Sequence, residues 1–262
     1  GRYDSSRATT VARPDFPLIP SPQGPFPATP MITRDFSSSS YTAGLRYAPV
    51  TDLVLRASFG TGFLAPDTSQ LMGPELDSIP IDVSDPKRGG ILETVGPVDY
   101  IIGGNPDLEP ERSKSYAAGI VYTPRFWPGL RVSVDYTKIE KSDEIAFLTE
   151  QQLLDFEDSL PSGTILREPL TPADRAAGYT GGAITQIRNV YYNFSRREVE
   201  AVDFQVDYTR QTTFGEFRGY AVATWNRLFA GQVVPSDELN NQVGYLGSPL
   251  KWKGNAGLDW TR

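Results

Sequence analysis

The sequence has 262 residues, a formal charge of −7 at neutral pH, 24 glycines, 22 prolines and neither cysteine nor histidine. The many Gly and Pro residues argue against long helices, and the negative charge argues against a nucleic-acid partner, because phosphate contacts need clustered Lys and Arg. Without Cys and His, disulfides, zinc sites with nitrogen or sulfur ligands and a Ser-His-Asp triad are excluded, and no cofactor or metal is predicted.

Seven segments alternate between apolar and polar residues, which is the period of a strand with two different faces. In chain order they are Tyr41–Tyr47, Asp52–Phe59, Ser113–Thr123, Leu130–Lys138, Val202–Thr209, Glu216–Asn226 and Leu250–Thr261. The alternation in Glu216–Asn226 is blurred, because both of its faces carry apolar residues. Gly1–Asp4 reads as the end of a further strand, so about eight strands are expected.

The connections between these strands are alternately short and long. Short links follow Tyr47, Thr123 and Thr209, and long ones span roughly residues 5–39, 60–112, 139–195 and 228–248. Short turns at one end and long loops at the other are typical of outer-membrane barrels, whereas long loops without structure are uncommon in compact soluble domains.

Two of the long loops have local patterns of their own. Residues 12–30 are rich in proline, which predicts an extended segment. In the third loop, Thr149 and Thr171 are each followed by residues that favour the start of a helix. A loop of this kind could close over a ligand or pack on its neighbours, and the sequence leaves both open.

An aromatic residue stands before each short turn and again near the end of the chain, at Tyr47, Tyr122, Tyr208 and Trp260. Aromatic residues at one depth in every second strand indicate a girdle at a membrane interface. The girdle and the loop asymmetry favour a transmembrane barrel over a soluble β-sandwich, which would produce the same alternation by burying its apolar face.

Two segments resemble the barrel of TonB-dependent outer-membrane receptors: GLRYAPVTDLVLRASFGTGFLAP (44–66) and NPDLEPERSKSYAAGI (105–120). The residues that carry the resemblance are Gly62, Phe63, Pro66, Asn105, Pro106, Leu108, Pro110 and Glu111. Leu64 departs from the family pattern, which most often has Arg there. The second segment, which begins with Asn105 and Pro106, is expected at the outer rim, where the chain leaves a loop and enters the barrel wall, since Pro favours extended geometry in the residue before it.

The resemblance implies an all-β fold, an antiparallel transmembrane β-barrel of 22 strands with long extracellular loops and an N-terminal plug. Residues 1–262 would be a partial barrel without the plug domain or the terminal strands. The implied function is active uptake of a scarce large nutrient, of the ferric siderophore, glycan or cobalamin class. The implied partners are outer-membrane lipid, the plug, the TonB complex and a small-molecule or oligosaccharide substrate, in a Gram-negative bacterium. A soluble β-sandwich binding module and a passive porin-like barrel remain the alternatives.

The polar faces of the strands would then line the lumen. They carry Arg46, Arg56, Arg131, Asp135, Asp203, Gln205, Asp207, Lys251, Lys253, Asn255 and Asp259. Each could contact the plug or a substrate, or could pair with charges on neighbouring strands. No catalytic residue is predicted, because Asp203 and Asp207 lie about 13 Å apart along one strand, too far to flank one scissile bond.

Overall fold

The computed structural model describes residues 2–9, 33–234 and 236–262. In chain order the strands are β1 (Arg2–Thr9), β2 (Thr33–Ser40), β3 (Thr42–Val50), β4 (Leu53–Leu64), β5 (Glu75–Ser84), β6 (Leu92–Gly103), β7 (Glu111–Tyr122), β8 (Leu130–Ala146), β9 (Ile165–Arg167), β10 (Ile184–Val190), β11 (Tyr192–Thr212), β12 (Gly215–Gln232), β13 (Asn240–Asn241) and β14 (Trp252–Thr261). The α-helices are α1 (Thr68–Leu71), α2 (Glu150–Asp155) and α3 (Pro172–Ala176). Single 3-10 turns lie at Pro86–Arg88 and Glu157–Ser159. The proline-rich segment 12–30 lies outside the described residues.

Seven strands form one antiparallel sheet, here termed the wall. Its order is β3-β4-β7-β8-β11-β12-β14, so each wall strand pairs with the next one along the chain. The short strand β13 pairs with the other end of the β12 edge that β14 occupies. In the described residues this sheet is not closed into a barrel. The antiparallel pairing of its strands confirms the predicted all-β antiparallel architecture. None of the helices in the described residues has the length and the apolar run that a membrane-spanning helix requires.

The start of the chain also forms a strand, as expected from Gly1–Asp4. Strand β1 pairs antiparallel with β2, and β2 leads through Tyr41 directly into β3. Residues 5–9 and 33–39, which were predicted to belong to the first long loop, are therefore parts of strands.

Several wall strands are longer than the alternation predicted. Strand β8 continues to Ala146, β11 begins at Tyr192 and β12 continues to Gln232. These extensions lie at the loop end of the wall, the end that carries the long connections, and charged residues there interrupt the apolar face. The last strand, in contrast, is shorter at its start than the predicted Leu250–Thr261, because β14 begins at Trp252.

A tight turn between β11 and β12 sets the register of the longest pair of strands. Thr212 pairs with Gly215, whose φ of 125° suits glycine. A Cβ atom on Gly215 would lie 2.4 Å from the carbonyl oxygen of Thr261 on β14. Glycine therefore allows both the turn and the close approach of the neighbouring strand.

The four aromatic residues before the turns follow a regular stagger. The row of paired residues through Tyr47 reaches β7 at Ile120, two residues before Tyr122. The direct pairs from Tyr122 likewise reach β11 two residues before Tyr208, and those from Tyr208 reach β14 two residues before Trp260. If the four aromatic residues lie at one depth, the strands shift by two residues, of about 3.3 Å each, over two strand spacings of about 4.8 Å. This shift corresponds to a strand tilt of about 35°. This tilt is typical of transmembrane barrels.

The long loops at residues 65–110 and 147–191 fold together into a second unit, here termed the cap. Its sheet has the order β5-β6-β10-β9, with β6 and β10 parallel. Thr149 and Thr171 are the N-cap residues of α2 and α3, each with a capping box, which confirms the predicted helix starts. The strands β5 and β6 were not predicted. The third long loop thus packs on the second.

The cap has a hydrophobic core of the kind found in soluble domains. Leu153 and Ile187 are fully buried, and β5, β6, α2 and β10 all contribute side chains. The core residues are Ile81, Val83, Val98, Tyr100, Leu148, Leu153, Leu154, Leu160, Ile184, Ile187, Val190, Tyr192 and Val234. Tyr192 belongs to this core and is also the first residue of β11. The core therefore joins the cap to the loop end of the wall.

Candidate functional site

One row of directly paired residues crosses the polar face of all seven wall strands, and it is termed the central row. From β3 to β14 its members are Arg46, Arg56, Gly119, Asp135, Asp203, Thr224 and Lys253. Two cations are followed by two adjacent carboxylates and then by a further cation. The row therefore brings five predicted site residues onto one line of direct pairs across the wall.

Arg56 and Asp135 form an ion pair that reaches across the intervening strand β7. Arg56 Nε lies 2.8 Å from Asp135 Oδ1, and Nη2 lies 2.6 Å from Oδ2. Strand β7 contributes Gly119 between them, and a Cβ atom there would lie 1.8 Å from Asp135 Oδ1. The missing side chain of Gly119 therefore leaves the space in which this two-pronged pair forms.

Among the described residues, Asp203 is the carboxylate in the central row that has no cation partner. It lies directly opposite Asp135 and accepts a hydrogen bond from Thr224 Oγ1 at 2.6 Å. Among the described residues it has no Lys or Arg partner within 4.0 Å, and like charges opposite each other destabilise a sheet. Asp135 and Asp203 line an open hollow of about 470 Å³ together with Arg56 and Thr137. The hollow is suited to a cationic group supplied from outside the wall.

A second polar group lies nearer the turn end. Gln205 Nε2 donates to Asp207 Oδ2 at 2.7 Å. Asp207 lies between Arg131 and Arg218, at 3.9 Å and 3.8 Å. This carboxylate is flanked by cations of the wall, so the group needs no partner from outside.

The other predicted polar residues are not brought together. In the described part of the chain, five are exposed and have no side-chain hydrogen bond or ion pair: Arg46, Lys251, Lys253, Asn255 and Asp259. Contact of any of the polar residues with a plug or a substrate stays a prediction.

Sequence reasoning missed Arg218 and Thr224, which both lie on β12. The apolar face of this strand carries Gly219, Ala221 and Ala223 between its aromatic residues, so its contrast with the polar face is weak. The pairing of β12 with β11 places Thr224 opposite Asp203 and Arg218 diagonally across from Asp207, but pairing is not visible in the sequence.

The family-like motif lies where a cap segment enters the wall, as predicted. Leu108 is 1% exposed and packs with Phe36 and Leu71. Glu111 begins β7, where its Oε1 accepts from the backbone N–H of Ile145 at 2.8 Å and its Oε2 lies 2.6 Å from Lys141 Nζ. These contacts hold the junction together rather than presenting groups to a ligand.

The remaining motif residues support the same junction. Asn105 Nδ2 donates to the carbonyl oxygen of Tyr191 at 2.9 Å, and Pro106 accepts from Arg34 Nε at 2.8 Å. Pro66 is buried at the other side of the loop. Gly62 and Phe63 are part of β4, where a Cβ on Gly62 would lie 2.9 Å from Ser113 Oγ. Pro110 directly precedes β7.

A buried ion network joins the two loops of the cap. Arg167 of the third loop donates to Asp85 of the second through Nη1 at 2.7 Å and Nη2 at 3.0 Å. Glu157 Oε2 accepts from Arg167 Nη2 at 2.7 Å. Burial alone would lower the pKa of the guanidinium, but its hydrogen bonds to the two carboxylates outweigh burial and raise the pKa above its usual value. The cation therefore stays charged inside the cap.

A second hollow, of about 360 Å³, lies between the cap and the loop end of β8, β11 and β12. Its lining includes Phe147, Gln152 and Gln242. The Arg197 guanidinium lies 5.6 Å from the centre of the Phe229 ring, which is also part of the lining. These groups can contact a ligand that has both polar and flat apolar parts. No group of carboxylates within residues 2–9, 33–234 and 236–262 is arranged to hold a metal ion.

The face of the wall opposite the central row is apolar and open. Leu45 and Leu258 are 68% and 74% exposed there. Trp225 and Trp252 stack with ring centres 5.8 Å apart, and Tyr116 lies on the same face further along the wall. A wall with large apolar side chains on one face and charges on the other fits contact with lipid on the apolar side.

The fold is similar to that of solved bacterial receptors. The ferric enterobactin receptor PfeA from Pseudomonas aeruginosa superposes with a TM-score of 0.51 at 16% identity, over 86% of this chain and 26% of that one. The siderophore receptor PirA from Acinetobacter baumannii gives a TM-score of 0.52 at 16% identity, over 86% of this chain and 27% of that one. This chain thus spans about a quarter of the length of these receptors.

Comparison with curated proteins gives no match. A family model described as "TonB dependent receptor-like, beta-barrel" matches residues 1–262. Together with the tilted antiparallel wall, this match shows that the chain belongs to the TonB-dependent receptor β-barrel family.

Proposed function

We propose that this chain is part of the barrel of an active transporter in the outer membrane of a Gram-negative bacterium. Residues 1–262 would be a partial barrel, and a plug domain and further strands would complete the protein. The division of the wall into an exposed apolar face and a charged face is the observation that carries the proposal. Lipid would cover the face with Leu45 and Leu258, and the central row would face the lumen. The role is transport, and no enzymatic activity is proposed.

The central row offers a position for the plug. Asp203 and Asp135 lie side by side, and only Asp135 is paired with a cation in the described residues. A Lys or Arg side chain from the plug would neutralise Asp203 inside the hollow, where ion pairs are less screened than at an open surface. The plug would be the segment through which the TonB complex acts on the receptor.

For the substrate, we propose the ferric siderophore class, with glycans and cobalamin as the alternatives to be tested. The hollow beneath the cap supports this choice, because the half-exposed guanidinium of Arg197, which Glu144 holds at 3.2 Å, lies there beside the rings of Phe147 and Phe229. An anionic chelate with aromatic groups would find complementary contacts there. The solved structures named above, which have a similar fold, are described as a ferric enterobactin receptor and a siderophore receptor.

Uptake in living cells tests the proposal. The gene for this chain is deleted in its own bacterium, and uptake of radioactive iron from a panel of siderophores is measured with and without a protonophore. We expect one siderophore whose uptake needs both the gene and the proton-motive force. Gene-dependent uptake that survives the protonophore would instead indicate a passive porin-like barrel. Recovery of the protein in the soluble fraction without detergent would indicate a binding module.

A pair of variants tests the role of the central row. Asp203→Asn removes the carboxylate that we assign to the plug, and uptake is expected to fall at least about tenfold, in line with the loss of one desolvated charge pair. Asp259→Asn removes an exposed carboxylate on the same face, opposite Arg218, and serves as the control. Equal uptake by the two variants would refute the assignment of Asp203.

A further inference from the structure

The apolar face of the wall changes character abruptly towards the loop end. Tyr136 pairs with Val202, and Val202 pairs with Trp225, so this row is apolar and aromatic. The next row on the same face begins with Lys138 opposite Glu200. A charged group thus starts one row beyond the aromatic residues.

This group, termed the collar, places its acids inside and its cations outside. Glu198 and Glu200 are 9% and 7% exposed. Lys138 Nζ lies 3.8 Å from each of them. Arg196 pairs with Glu198, and Arg227 pairs with Glu200, yet the two Arg side chains are 52% and 58% exposed. Each guanidinium is anchored by one carboxylate and keeps other N–H donors free to point away from the wall.

The neighbouring strand β7 adds two more cations to the collar. Arg112 and Lys114 lie four and two residues before Tyr116, so they share its face, and both are exposed. Lys114 pairs in register with Glu140, whose carboxylate lies 2.8 Å from Lys138 Nζ. With these two residues, the collar has five cations and three carboxylates, although the chain as a whole has a charge of −7.

We propose that the collar binds the phosphate groups of an anionic lipid in the outer leaflet. The proposal rests on the proposed membrane location of the wall. Tyr and Trp lie at the level of lipid headgroups, and the collar begins one row beyond Trp225 and Tyr136. Guanidinium groups match phosphate oxygens in two-pronged geometry. The collar lies on the opposite face of the wall from the central row, and of its residues Arg196 also lines the hollow beneath the cap.

The test compares two lipids that differ only in phosphate. The protein in detergent micelles is titrated with bisphosphorylated lipid A, with the same lipid after dephosphorylation, and with inorganic phosphate. Binding is followed by native mass spectrometry and by tryptophan fluorescence, because Trp225 and Trp252 lie in the row beside the collar. We expect the phosphorylated lipid to bind at least about tenfold more tightly than the dephosphorylated one, as one charge-assisted contact or more would give. Inorganic phosphate alone is expected not to bind measurably.

Variants locate the binding. Arg112→Gln combined with Lys114→Gln removes two cations that have no buried carboxylate to leave unpaired, and affinity for phosphorylated lipid A is expected to fall at least about tenfold. Arg196→Gln combined with Arg227→Gln is expected to have a larger effect, with folding checked by the heat-dependent shift in gel mobility. Arg46→Gln combined with Arg131→Gln on the polar face is the control and should leave lipid binding unchanged.

The outcomes separate this proposal from the proposed function. Equal binding of the two lipids, or unchanged binding by the folded Arg112/Lys114 variant, would overturn the collar as a phosphate site while leaving the transporter proposal intact. A protein that binds neither lipid and stays soluble without detergent would overturn both. Preference for inorganic phosphate over the lipid would show that the collar recognises a soluble anion and would also overturn the lipid proposal.

Discussion

The wall and the cap are both β-structures, but different surroundings stabilise them. The wall leaves large apolar side chains such as Leu45 and Trp252 more than half exposed. The cap instead buries Leu153, Ile187 and Val190 completely and surrounds them with helices and a mixed sheet. The wall depends on paired backbones and on an apolar environment outside the protein, whereas the cap has an internal core as a water-soluble domain does.

The charges follow the same division. In the cap, Arg167 is enclosed with Asp85 and Glu157, so the loss of one partner would leave a buried charge. On the wall, Arg56 is half exposed, and its pair with Asp135 can be hydrated when it breaks. The cap is therefore expected to be far more sensitive than the wall to the loss of a single ion pair.

The largest effect is expected from Arg167→Met. It removes the cation that holds Asp85 and Glu157, and breaking a buried pair of this kind costs about 3–5 kcal/mol of folding free energy. Hydrogen exchange should accelerate in β5 and β10 but not in β7 or β8. Arg175→Met, which removes an exposed Arg of the same loop, is the matched control. Equal protection of the cap in the two variants would show that the network does not join the loops.

A smaller effect is expected from Gly119→Ala in the wall. The new Cβ would lie 1.8 Å from Asp135 Oδ1, so the carboxylate must move away from Arg56. We expect a loss of about 1–3 kcal/mol, which is usual for overpacking, measured by urea unfolding in lipid vesicles. In Gly44→Ala the nearest contact of the new Cβ is an ordinary 3.8 Å to the carbonyl oxygen of Ala57. That control should be neutral or slightly stabilised, and a similar loss in both variants would contradict the role of Gly119.

The smallest effect is expected from Tyr100→Phe in the cap. Burial, together with the hydrogen bond that the phenol donates to Glu150, raises the pKa of Tyr100 to about 12. The folded cap therefore holds this proton more tightly than the unfolded chain does. The contribution of the protonated phenol to folding stability is complete below about pH 10 and is lost as the pH rises from about 10 to about 12.

In Tyr100→Phe this alkaline loss should disappear, and stability at neutral pH should fall by about 1–2 kcal/mol, because the hydrogen bonds of the phenol with Glu150 and Asn189 are both lost. Near-ultraviolet circular dichroism of the cap against pH measures both effects. Tyr245→Phe, at an exposed tyrosine outside the cap, should behave like the unchanged protein. A persistent alkaline transition in Tyr100→Phe would assign the titration to another group.

The strands of the wall were readable from the sequence because each wall strand carries its own pattern. Leu130–Lys138 alternates strictly, and β8 does begin at Leu130. The helix starts at Thr149 and Thr171 were readable for the same reason, since a capping box lies within four residues. The family-like motif was placed correctly at the start of β7, because proline and the following alternation act locally.

What the sequence could not show depended on contacts between distant residues. The parallel pairing of β6 with β10 joins segments more than eighty residues apart, and neither segment alternates clearly between apolar and polar residues. The ion pair of Arg167 with Asp85 also joins distant residues, which are 82 positions apart. That Asp203 lies opposite another carboxylate, Asp135, was apparent only from the pairing of β8 with β11.

The sequence by itself determined the strand faces, the turns and the family, since these follow from periods of two and from short motifs. Only the tertiary structure decided which charges meet, that two loops form one cap, and where the apolar face gives way to the collar. The reason is physical: alternation records the environment of each strand, whereas register and loop packing are set by partners that lie far away along the chain.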